Sequence, residues 1–429
     1  MRFLLLGSGG RESAIGWALA RSNSVDELIA APGNPGIERV ATLESIDIED
    51  PAAVVELAAR CKPACVVVGP EAPLVAGVAD TLRAGGVKVF GPDRAAAAIE
   101  GSKTYAKELM ERGGVPTGAW RTLDGLEPAI AYLDELGPPY VIKADGLAAG
   151  KGVVVTEDRD IAIEALKERL VDGRFGDAGR RVVVEEFLDG QETSLIAFVD
   201  GRDVVACEPA QDYKRVFDAD EGPNTGGMGS YSPVPACSPK LAEQIVEEVI
   251  QPMVNATAEA GAPFVGALYA GLALTSKGPK VIEFNARFGD PETQALLPRL
   301  DGDFGEICLA TASGDLRGAS VDWHPQACVS LVLASGGYPG PHETGFAISG
   351  LDDAERMPDV QVFHAGTTRD SDGTVRTAGG RVLAVSALGD SFEQARGRAY
   401  DAAALIDFEG KHMRTDIAAR AARAVRRPL

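Results

Sequence analysis

Histidine is scarce in this 429-residue chain, and its four histidines are His324, His342, His364 and His412. A Ser–His or Cys–His catalytic pair is therefore excluded from the first three hundred residues. The six cysteines include no pair with CxxC spacing, so neither a disulfide framework nor a zinc ribbon is indicated. We expect reduced thiols and a cytoplasmic protein.

Long apolar segments and an excess of positive charge are also missing. Only four consecutive apolar residues precede the first glycine in MRFLLLGSGG, so we expect no signal peptide, and the apolar stretch around Val265–Leu274 is far too short to span a membrane. Lys and Arg number 42 against 63 Asp and Glu, a net charge of −21. We therefore expect no membrane partner and no nucleic acid, and a polyanion could bind only in a local basic pocket.

Strand and helix patterns alternate through the first hundred residues. The predicted strands are Phe3–Leu6, Leu28–Ala30, Cys65–Val68 and Val87–Phe90, and the predicted helices are Arg11–Arg21, Ala52–Ala59 and Val78–Arg83. Several of these strands end in glycine. The pattern is typical of a doubly wound parallel sheet that binds ligands at the carboxyl edge of its strands.

The rest of the chain predicts a multidomain protein of mixed α/β and α+β class. Residues 115–200 are rich in strands with one helix, Asp160–Val171, and residues 201–320 mix strands with the helix Leu241–Ala260. Residues 325–429 form a separate small α+β unit in this interpretation. We predict an N-terminal substrate-binding domain at 1–101, a central domain at 102–320 with a mobile subdomain at 115–190, and a C-terminal domain at 325–429.

A glycine-rich hairpin is the most informative local feature. The apolar runs Tyr140–Ile142 and Val153–Val155 flank a loop that contains three glycines together with Lys143 and Lys151. Bare backbone N–H groups and two ammonium groups suit a phosphate chain. An ordinary flexible hairpin remains the alternative. The sequence lacks the GxxxxGK[ST] order of a P-loop.

Three other segments contain candidate ligand contacts. In GSGGRE, Gly9 and Gly10 could present N–H groups to a phosphate at a helix start, although the loop could also be a plain β–α turn. Glu71 follows another strand. The run Val182–Leu188 is predicted as a strand that ends in two acids, Glu185 and Glu186, and it suggests an edge whose backbone could pair with a purine, with Glu192 near the ribose. The loop Asn224–Gly229 follows a charged run and could hold substrate, or it could be a surface turn.

The segment IEFNARFGDPE contains the clearest candidate metal ligands. Glu283 and Asn285 are two residues apart on a predicted strand, so both side chains point to one face. Two oxygen ligands on one face suit Mg²⁺. Arg287 is predicted to continue this face and to hold a phosphoryl group or a carboxylate. An edge strand with a polar outer face is the alternative.

Together these segments resemble the ATP-grasp fold and, within it, the glycinamide ribonucleotide synthetase family. The matching strings are GSGGRE, APGNPG, GPEAPL, EGSK, KADGLAAGKGV, EEFLDG, GPNTGGMGSYSP, YAGL, IEFNARFGDPETQ, GGYPG and GGRVL, in family order from residue 7 to residue 383. The family usually has histidine where this chain has Ser13 and Tyr213. ATP-grasp enzymes often carry a further acidic metal ligand on the preceding strand, which Tyr269–Leu272 lacks.

The resemblance implies that glycine, ATP and 5-phosphoribosylamine give glycinamide ribonucleotide, ADP and phosphate through glycyl phosphate, a step of purine synthesis. It implies Mg²⁺ or Mn²⁺ as cofactor, and a monomer is expected with the oligomeric state left open. Two alternatives remain: another ATP-grasp carboxylate–amine ligase or carboxylase, and a non-catalytic nucleotide-binding regulator.

The resemblance also assigns roles to individual residues. It places Glu283 and Asn285 on the metal and gives catalytic roles to Lys143, Lys151 and Arg287. The residues assigned to ATP are Lys103, Lys143, Gly150, Lys151, Glu185, Glu186, Phe187, Leu188 and Glu192. Those assigned to glycine and phosphoribosylamine are Gly9, Gly10, Glu71, Asp212, Lys214, Asn224, Thr225, Gly226, Gly227, Arg287, Asp290, Pro291 and Glu292.

Overall fold

The computed structural model describes residues 1–146, 152–174 and 176–424. In that part of the chain, no helix combines the length and the apolar character needed to cross a bilayer. The predicted site residues Gly150 and Lys151 lie outside the described residues.

A five-stranded parallel sheet with the order β3-β2-β1-β4-β5 forms the N-terminal region. Leu4 and Leu6 of its central strand join one hydrophobic core and Phe3 and Leu5 join another, so both faces of the sheet are covered. The predicted doubly wound sheet is confirmed, although its last strand is shorter than predicted. The elements are β1 (Arg2–Gly7), α1 (Gly10–Ala20), β2 (Glu27–Pro32), β3 (Thr42–Leu43), α2 (Pro51–Cys61), β4 (Cys65–Val68), α3 (Glu71–Ala76), α4 (Val78–Ala84) and β5 (Val89–Phe90).

A second sheet, of antiparallel pairs in the order β6-β9-β7-β8, follows two connecting helices. Two further helices pack on it around a hydrophobic core of their own. The sequence predicted one helix here and missed α7, which buries Ala129, Tyr132 and Leu133. The elements are α5 (Arg94–Gly101), α6 (Lys103–Gly113), β6 (Trp120–Leu123), α7 (Leu126–Leu136), β7 (Tyr140–Ala144), β8 (Val153–Thr156), α8 (Arg159–Leu170) and β9 (Val182–Glu185).

A four-stranded antiparallel sheet, in the order β11-β10-β16-β17, carries the predicted metal strand at its edge. The predicted long helix is interrupted by a π-helical turn, Val246–Ile250, between α9 and α10. The elements are β10 (Gln191–Asp200), β11 (Val204–Ala206), β12 (Gln211–Asp212), β13 (Arg215–Phe217), β14 (Glu221–Asn224), β15 (Gly229–Ser232), α9 (Pro239–Ile245), α10 (Gln251–Glu259), β16 (Val265–Thr275), β17 (Gly278–Asn285), α11 (Glu292–Leu296), β18 (Leu300–Asp301) and α12 (Phe304–Ser313).

Two short C-terminal strands, Thr367–Arg369 and Val375–Thr377, pair with each other, but the three longer C-terminal strands do not form a sheet of their own. They share a five-stranded sheet, in the order β12-β15-β20-β24-β21, with two strands of the central region. The C-terminal strands are therefore joined to the central region through this sheet, and the predicted domain boundaries stay a prediction. The elements are β19 (Asp322–Trp323), β20 (Ala327–Ala334), α13 (Leu351–Glu355), β21 (Val360–His364), β22 (Thr367–Arg369), β23 (Val375–Thr377), β24 (Arg381–Gly389), α14 (Phe392–Leu405) and α15 (Ala419–Ala424).

Candidate active site

A small cavity lies where helices α5 and α6 meet strands β7 and β17. Its volume is about 30 Å³, which suits an ion or a few water molecules rather than a nucleotide. The lining side chains include two predicted metal ligands, three lysines and one further acid. They are Glu100, Lys103, Lys107, Lys143, Glu283 and Asn285.

Glu185 lies between two lysines at the wall of this cavity. Lys107 Nζ is 2.5 Å from Glu185 Oε2, while Lys143 Nζ pairs with Oε1 and donates to the carbonyl of Ile282 at 3.0 Å. Although burial pushes the pKa of Glu185 upwards, Lys143 and Lys107 outweigh it and hold the pKa below its usual value. The carboxylate is therefore ionised, and its two lysine partners leave a surplus of positive charge.

The strand that ends at Glu185 is an interior strand of its sheet. Glu185 pairs with Trp120 of β6 on one side and with Val141 of β7 on the other. The prediction of an edge that pairs with a purine is therefore wrong for Val182–Glu185, because both sides of its backbone are already bonded.

Glu186, Phe187 and Leu188 follow this strand. The N–H of Glu186 donates to the carbonyl of Ala119 at 2.7 Å, and the N–H of Ala119 donates to the Glu186 carboxylate at 3.0 Å. The Phe187 side chain is 41% exposed. A purine that pairs with backbone here would have to do so beyond Glu186.

Glu283 and Asn285 both lie on β17, as predicted, and both line the cavity. Among the described residues, none hydrogen-bonds either side chain and none forms an ion pair with Glu283 within 4 Å. Burial lowers the pKa of the neighbouring Lys103, and Glu283 opposes that shift. A carboxylate and an amide oxygen with free lone pairs fit Mg²⁺ or Mn²⁺. Since no group of three or more His, Cys, Asp or Glu suited to a metal occurs in the described residues, such an ion would need water and phosphate as further ligands.

Arg287 lies two residues beyond the end of β17, and its guanidinium is held by two carboxylates. Its Nε is 3.1 Å from Glu71 Oε2, and a terminal nitrogen is 2.7 Å from Glu100 Oε1. The other oxygen of Glu100 accepts from the N–H of Ala286 at 2.7 Å. Arg287 is not among the described residues that line the cavity, so the prediction that it continues the face of Glu283 and Asn285 is not met.

The two carboxylates that hold Arg287 differ in their electrostatics. Burial raises the pKa of Glu100, and Arg287 only partly offsets it. Burial acts on Glu71 in the same direction, but Arg287 and then Arg11 outweigh it and lower the pKa of Glu71. Glu71 is therefore firmly ionised, whereas Glu100 is the acid more easily protonated.

The glycine-rich loop at the first helix start is packed against its own helix. Glu12 accepts from the N–H of Gly9 at 2.7 Å and from Arg11 Nε at 2.6 Å. A Cβ at Gly10 would lie 2.7 Å from Gln294 Nε2. The N–H of Gly9 is therefore not free for a phosphate, which corrects the expectation for this residue, and glycine at position 10 allows two elements to approach closely.

A C-terminal arginine fixes the second glycine-rich loop. Arg381 donates to the carbonyls of Gly226 and Asp290, the latter at 2.8 Å, and lies 3.3 Å from the Asp290 carboxylate. Gly227 has a φ of +107°, and a Cβ there would lie 2.3 Å from Pro291 Cδ. The sequence predicted Gly226, Gly227, Asp290 and Pro291 as one substrate region, and the structure brings them together.

Lys214 lies between two predicted site carboxylates. It forms an ion pair with Glu192 and lies 3.5 Å from Asp212 Oδ1. Burial raises the pKa of Asp212 to about 7, although Lys214 opposes the shift. Glu192 is predicted to meet a ribose, and here its partner is this lysine.

The remaining predicted substrate residues are Asn224, Thr225 and Glu292. Asn224 ends β14, and Thr225 is buried. The Glu292 carboxylate accepts from Ser194 Oγ at 3.1 Å and from the Tyr269 hydroxyl at 2.9 Å. These contacts hold Glu292 inside the protein rather than in open solvent.

Comparisons with known proteins agree over the whole chain. The phosphoribosylglycinamide synthetase family matches in three parts: its N domain at residues 1–100, its ATP-grasp (A) domain at 101–293 and its C domain at 328–420. The chain belongs to the phosphoribosylglycinamide synthetase family. The resemblance and the fold class predicted from the sequence are confirmed.

Individual relatives are similar over nearly their full length. A phosphoribosylamine–glycine ligase of Streptomyces coelicolor is 50% identical over 99% of this chain and 100% of its own, and one of Vibrio parahaemolyticus is 49% identical over 98% of both chains. The crystal structure of a phosphoribosylamine–glycine ligase from Thermotoga maritima has a TM-score of 0.83 at 35% identity and covers 97% of this chain and 100% of its own. A biotin carboxylase domain of Hydrogenobacter thermophilus, at 17% identity, TM-score 0.73 and coverage of 96% and 91%, shares the fold.

The two positions where this synthetase lacks the usual histidine are filled by structural contacts. Ser13 Oγ donates to the carbonyl of His364 at 2.6 Å. The Tyr213 hydroxyl accepts from the N–H of Ala418 at 2.9 Å, and Arg414 stacks over its ring. Both side chains therefore connect the central and N-terminal elements to the C-terminal region.

Sequence reasoning missed four charged residues of the synthetase site: Arg11, Glu100, Lys107 and Arg381. Lys107 could have been found, because it follows Lys103 by four residues on one helix and so lies on the same face. Nothing in the local sequence relates Arg381 to a loop 155 residues earlier in the chain.

Proposed function

We propose that this synthetase joins glycine to 5-phosphoribosylamine with ATP, through a glycyl-phosphate intermediate, and gives glycinamide ribonucleotide, ADP and phosphate in purine biosynthesis. The observation that carries the proposal is the family match over nearly the whole chain together with the cavity lined by lysines and the free oxygen donors of β17.

The lysines support the nucleotide part of this proposal. Lys103 and Lys143 line one cavity, and Lys143 shares a buried carboxylate with Lys107. A surplus of buried ammonium groups is costly unless an anion approaches them. The polyphosphate of ATP is an anion that meets this need, with Lys103 and Lys143 as its direct contacts.

The reaction follows from the weakness of a carboxylate as an electrophile. One oxygen of the glycine carboxylate attacks the γ-phosphorus, the bond to the β-phosphate oxygen breaks, and ADP leaves. The amine of phosphoribosylamine then attacks the carbonyl carbon of glycyl phosphate. Phosphate leaves with the electron pair of its C–O bond, and the new amide nitrogen loses a proton. No histidine is required for these steps.

Glu283 and Asn285 would hold Mg²⁺ or Mn²⁺, since they present oxygen atoms without a partner among the described residues. When bound, the ion supplies charge neutralisation on the phosphate oxygens. Lys143, whose ammonium group donates to the carbonyl of Ile282 next to Glu283, orients the polyphosphate. Arg287 acts beside the metal strand, where its contacts with Glu71 and Glu100 fix the direction of the chain after Asn285.

We infer that the packed loops around Gly227, Asp290 and Pro291 line the glycine and phosphoribosylamine site, with Asp212 and Lys214 at its rim. Their support is the mutual packing described above and the burial of Thr225 and Glu292. The proposal includes a cytoplasmic monomer. The six free, buried cysteines suit a reducing compartment, and light scattering would measure the mass.

ADP release with each substrate omitted in turn tests the reaction. We expect release that depends on glycine and Mg²⁺ and that rises with phosphoribosylamine. Release that depends on bicarbonate but not on glycine would favour a carboxylase, and tight ATP binding without any release would favour a nucleotide-binding regulator.

Hydroxylamine tests the intermediate, because it is a small amine that can replace phosphoribosylamine. If glycyl phosphate forms, glycine hydroxamate appears together with ADP. Ligation at the full rate with no hydroxamate at any hydroxylamine concentration would argue against a free glycyl phosphate.

A further inference from the structure

Lys107 is a buried lysine that connects helix α6 with strands β9 and β17 at the candidate nucleotide site. It stands one helical turn after Lys103, and its side chain is 3% exposed. Its Nζ donates to Thr117 Oγ1 at 2.7 Å, and that hydroxyl donates to the carbonyl of Val281 at 2.7 Å. The same Nζ is 2.5 Å from Glu185 Oε2. Lys107 is therefore fixed against strands β9 and β17 at once.

Glu185 divides its two oxygens between two ammonium groups. Oε2 faces Lys107 and Oε1 faces Lys143, and the side chains of Glu185 and Lys143 are 6% and 4% exposed. These two buried ammonium groups and one carboxylate carry a net charge of +1 as a triad, and Glu283, which lines the same cavity, forms no ion pair with either lysine within 4 Å. A single buried carboxylate with Lys143 alone would instead form a neutral pair, which resists separation because each charge would be left without a partner.

We propose that Lys107 is a positioning residue that keeps Glu185 charge-compensated while Lys143 turns from Glu185 to the nucleotide polyphosphate. The proposal rests on the proposed function, because it takes Lys143 as a phosphate contact. Lys107 does not touch the nucleotide. It competes with Lys143 for the Glu185 carboxylate, which weakens the Glu185–Lys143 ion pair and lets the Lys143 ammonium group bind the polyphosphate.

Charge counting makes the proposal testable with a pair of variants. Lys107→Met leaves Lys143 and Glu185 as a neutral pair, so Lys143 is retained by the carboxylate. Lys107→Met combined with Glu185→Gln removes one charge of each sign and restores the wild-type surplus. A role limited to packing predicts that the double variant is at least as impaired as the single one.

The experiment is equilibrium binding of a nonhydrolysable Mg–ATP analogue, with KM values for ATP and glycine as the second readout. We expect Lys107→Met to raise the Kd for the analogue and the KM for ATP by about tenfold or more, the equivalent of one partly lost charge contact. The KM for glycine should stay within about twofold, and the double variant should recover most of the affinity for the analogue.

Thr117→Val provides a milder test if Lys107→Met does not fold. It keeps the side-chain shape and removes the hydroxyl that holds Lys107, so we expect a smaller rise in the same Kd. The proposal is overturned if Lys107→Met binds the analogue with a Kd within about twofold of wild type, or if the double variant binds it no better than the single variant. Where Lys107→Met does not fold, an unchanged Kd in Thr117→Val overturns it. Because binding is measured without glycine, a chain that binds ATP but ligates another substrate would fail the proposed function and leave this test intact.

Discussion

Two clusters of buried charge flank the end of β17, and they differ in how completely they are paired. The lysine cluster consists of Lys103, Lys107, Lys143 and Glu185, and Glu185 is the one carboxylate within 4 Å of these ammonium groups among the described residues. Glu283 and Glu100 line the same cavity at longer range. The other cluster joins the N-terminal sheet to the strand end. This arginine cluster consists of Arg11, Arg287, Glu12, Glu71 and Glu100, two guanidinium groups against three carboxylates.

The difference in charge pairing indicates that the lysine cluster binds a ligand and that the arginine cluster has a structural role. A cluster with surplus positive charge is completed by an anionic ligand, whereas a cluster whose guanidinium groups already have carboxylate partners is complete without one. Arginine also suits the second task, because its rigid fork holds two carboxylates in a defined geometry. The comparison therefore assigns phosphate binding to the lysines and alignment of the strand end to the arginines.

Removal of the Glu283 carboxylate should have the largest effect. Glu283→Gln keeps the size of the side chain but removes the only negative charge of the Glu283–Asn285 ligand pair, so we expect ligation to slow by roughly 10²–10³ with the fold intact. Turnover measured over a range of Mg²⁺ concentrations shows how strongly the rate depends on the metal. Glu259→Gln, on the exposed end of α10, is the matched control. Wild-type metal dependence in Glu283→Gln would rule out this ligand.

Arg287→Lys should have an intermediate effect on both the rate of hydroxamate formation and the thermal stability. The charge stays but the fork that meets both Glu71 and Glu100 is lost, so we expect slower hydroxamate formation, by about tenfold, and a lower Tm. ATP binding should be largely retained. If this variant forms hydroxamate at the wild-type rate and keeps its Tm, the arginine cluster neither aligns the strand end nor contributes to catalysis.

Asp212 belongs to neither cluster: it shares Lys214 with Glu192, so one ammonium group faces two carboxylates. Its substitution should have a smaller effect, on stability, that depends on pH. Burial raises the pKa of Asp212 to about 7 in the fold from the ordinary value of about 3.8, so its contribution to stability is full below pH 3.8 and is lost as the pH rises through 7. We expect Asp212→Asn to gain stability relative to wild type over this range, by at most about 1.4 kcal/mol per pH unit. Urea unfolding at pH 4 to 8 measures it.

The exposed Asp401 of α14 provides the control for this titration. Asp401→Asn should follow the wild-type curve at every pH. A constant difference between Asp212→Asn and wild type from pH 4 to pH 8 would mean that Asp212 is ionised throughout.

Tyr213→Phe should have the smallest effect. It removes the hydroxyl that accepts from the N–H of Ala418 and keeps the ring under Arg414. We expect a loss of about 1 kcal/mol in the free energy of unfolding and turnover within twofold of wild type. Thermal unfolding measures the stability, and ADP release measures the turnover. A large loss of turnover at unchanged stability would place Tyr213 at the substrate instead.

The sequence predicted more of the lysine cluster than of the arginine cluster, because Lys103 and Lys143 lie in the recognisable motifs EGSK and KADGLAAGKGV. The contacts of Lys143 are nevertheless long-range, since it donates to the carbonyl of Ile282, 139 residues later in the chain. Arg287 was predicted from the period of β17, but the strand ends at Asn285, and its partner Glu71 is 216 residues away. Strand period gives the direction of a side chain only while the strand continues.

Sheet connections show the same limit at a larger scale. Alternating patterns predicted the parallel N-terminal sheet, because each apolar run is a complete strand buried on both faces. They could not show that β9 lies inside its sheet or that β12 and β15 join the C-terminal strands. Pairing between distant strands depends on tertiary packing, which the short strands Gln211–Asp212 and Gly229–Ser232 do not encode locally.

The most direct test of the contrast between the clusters is the binding of a nonhydrolysable Mg–ATP analogue to Lys143→Met and to Arg287→Lys, measured side by side by calorimetry. Lys240→Met, on the exposed face of α9, is the control. We expect a Kd raised by about a hundredfold in Lys143→Met, as for loss of a charged contact worth roughly 3 kcal/mol, and a Kd within about threefold of wild type in Arg287→Lys. Weak binding in Arg287→Lys with normal binding in Lys143→Met would contradict it.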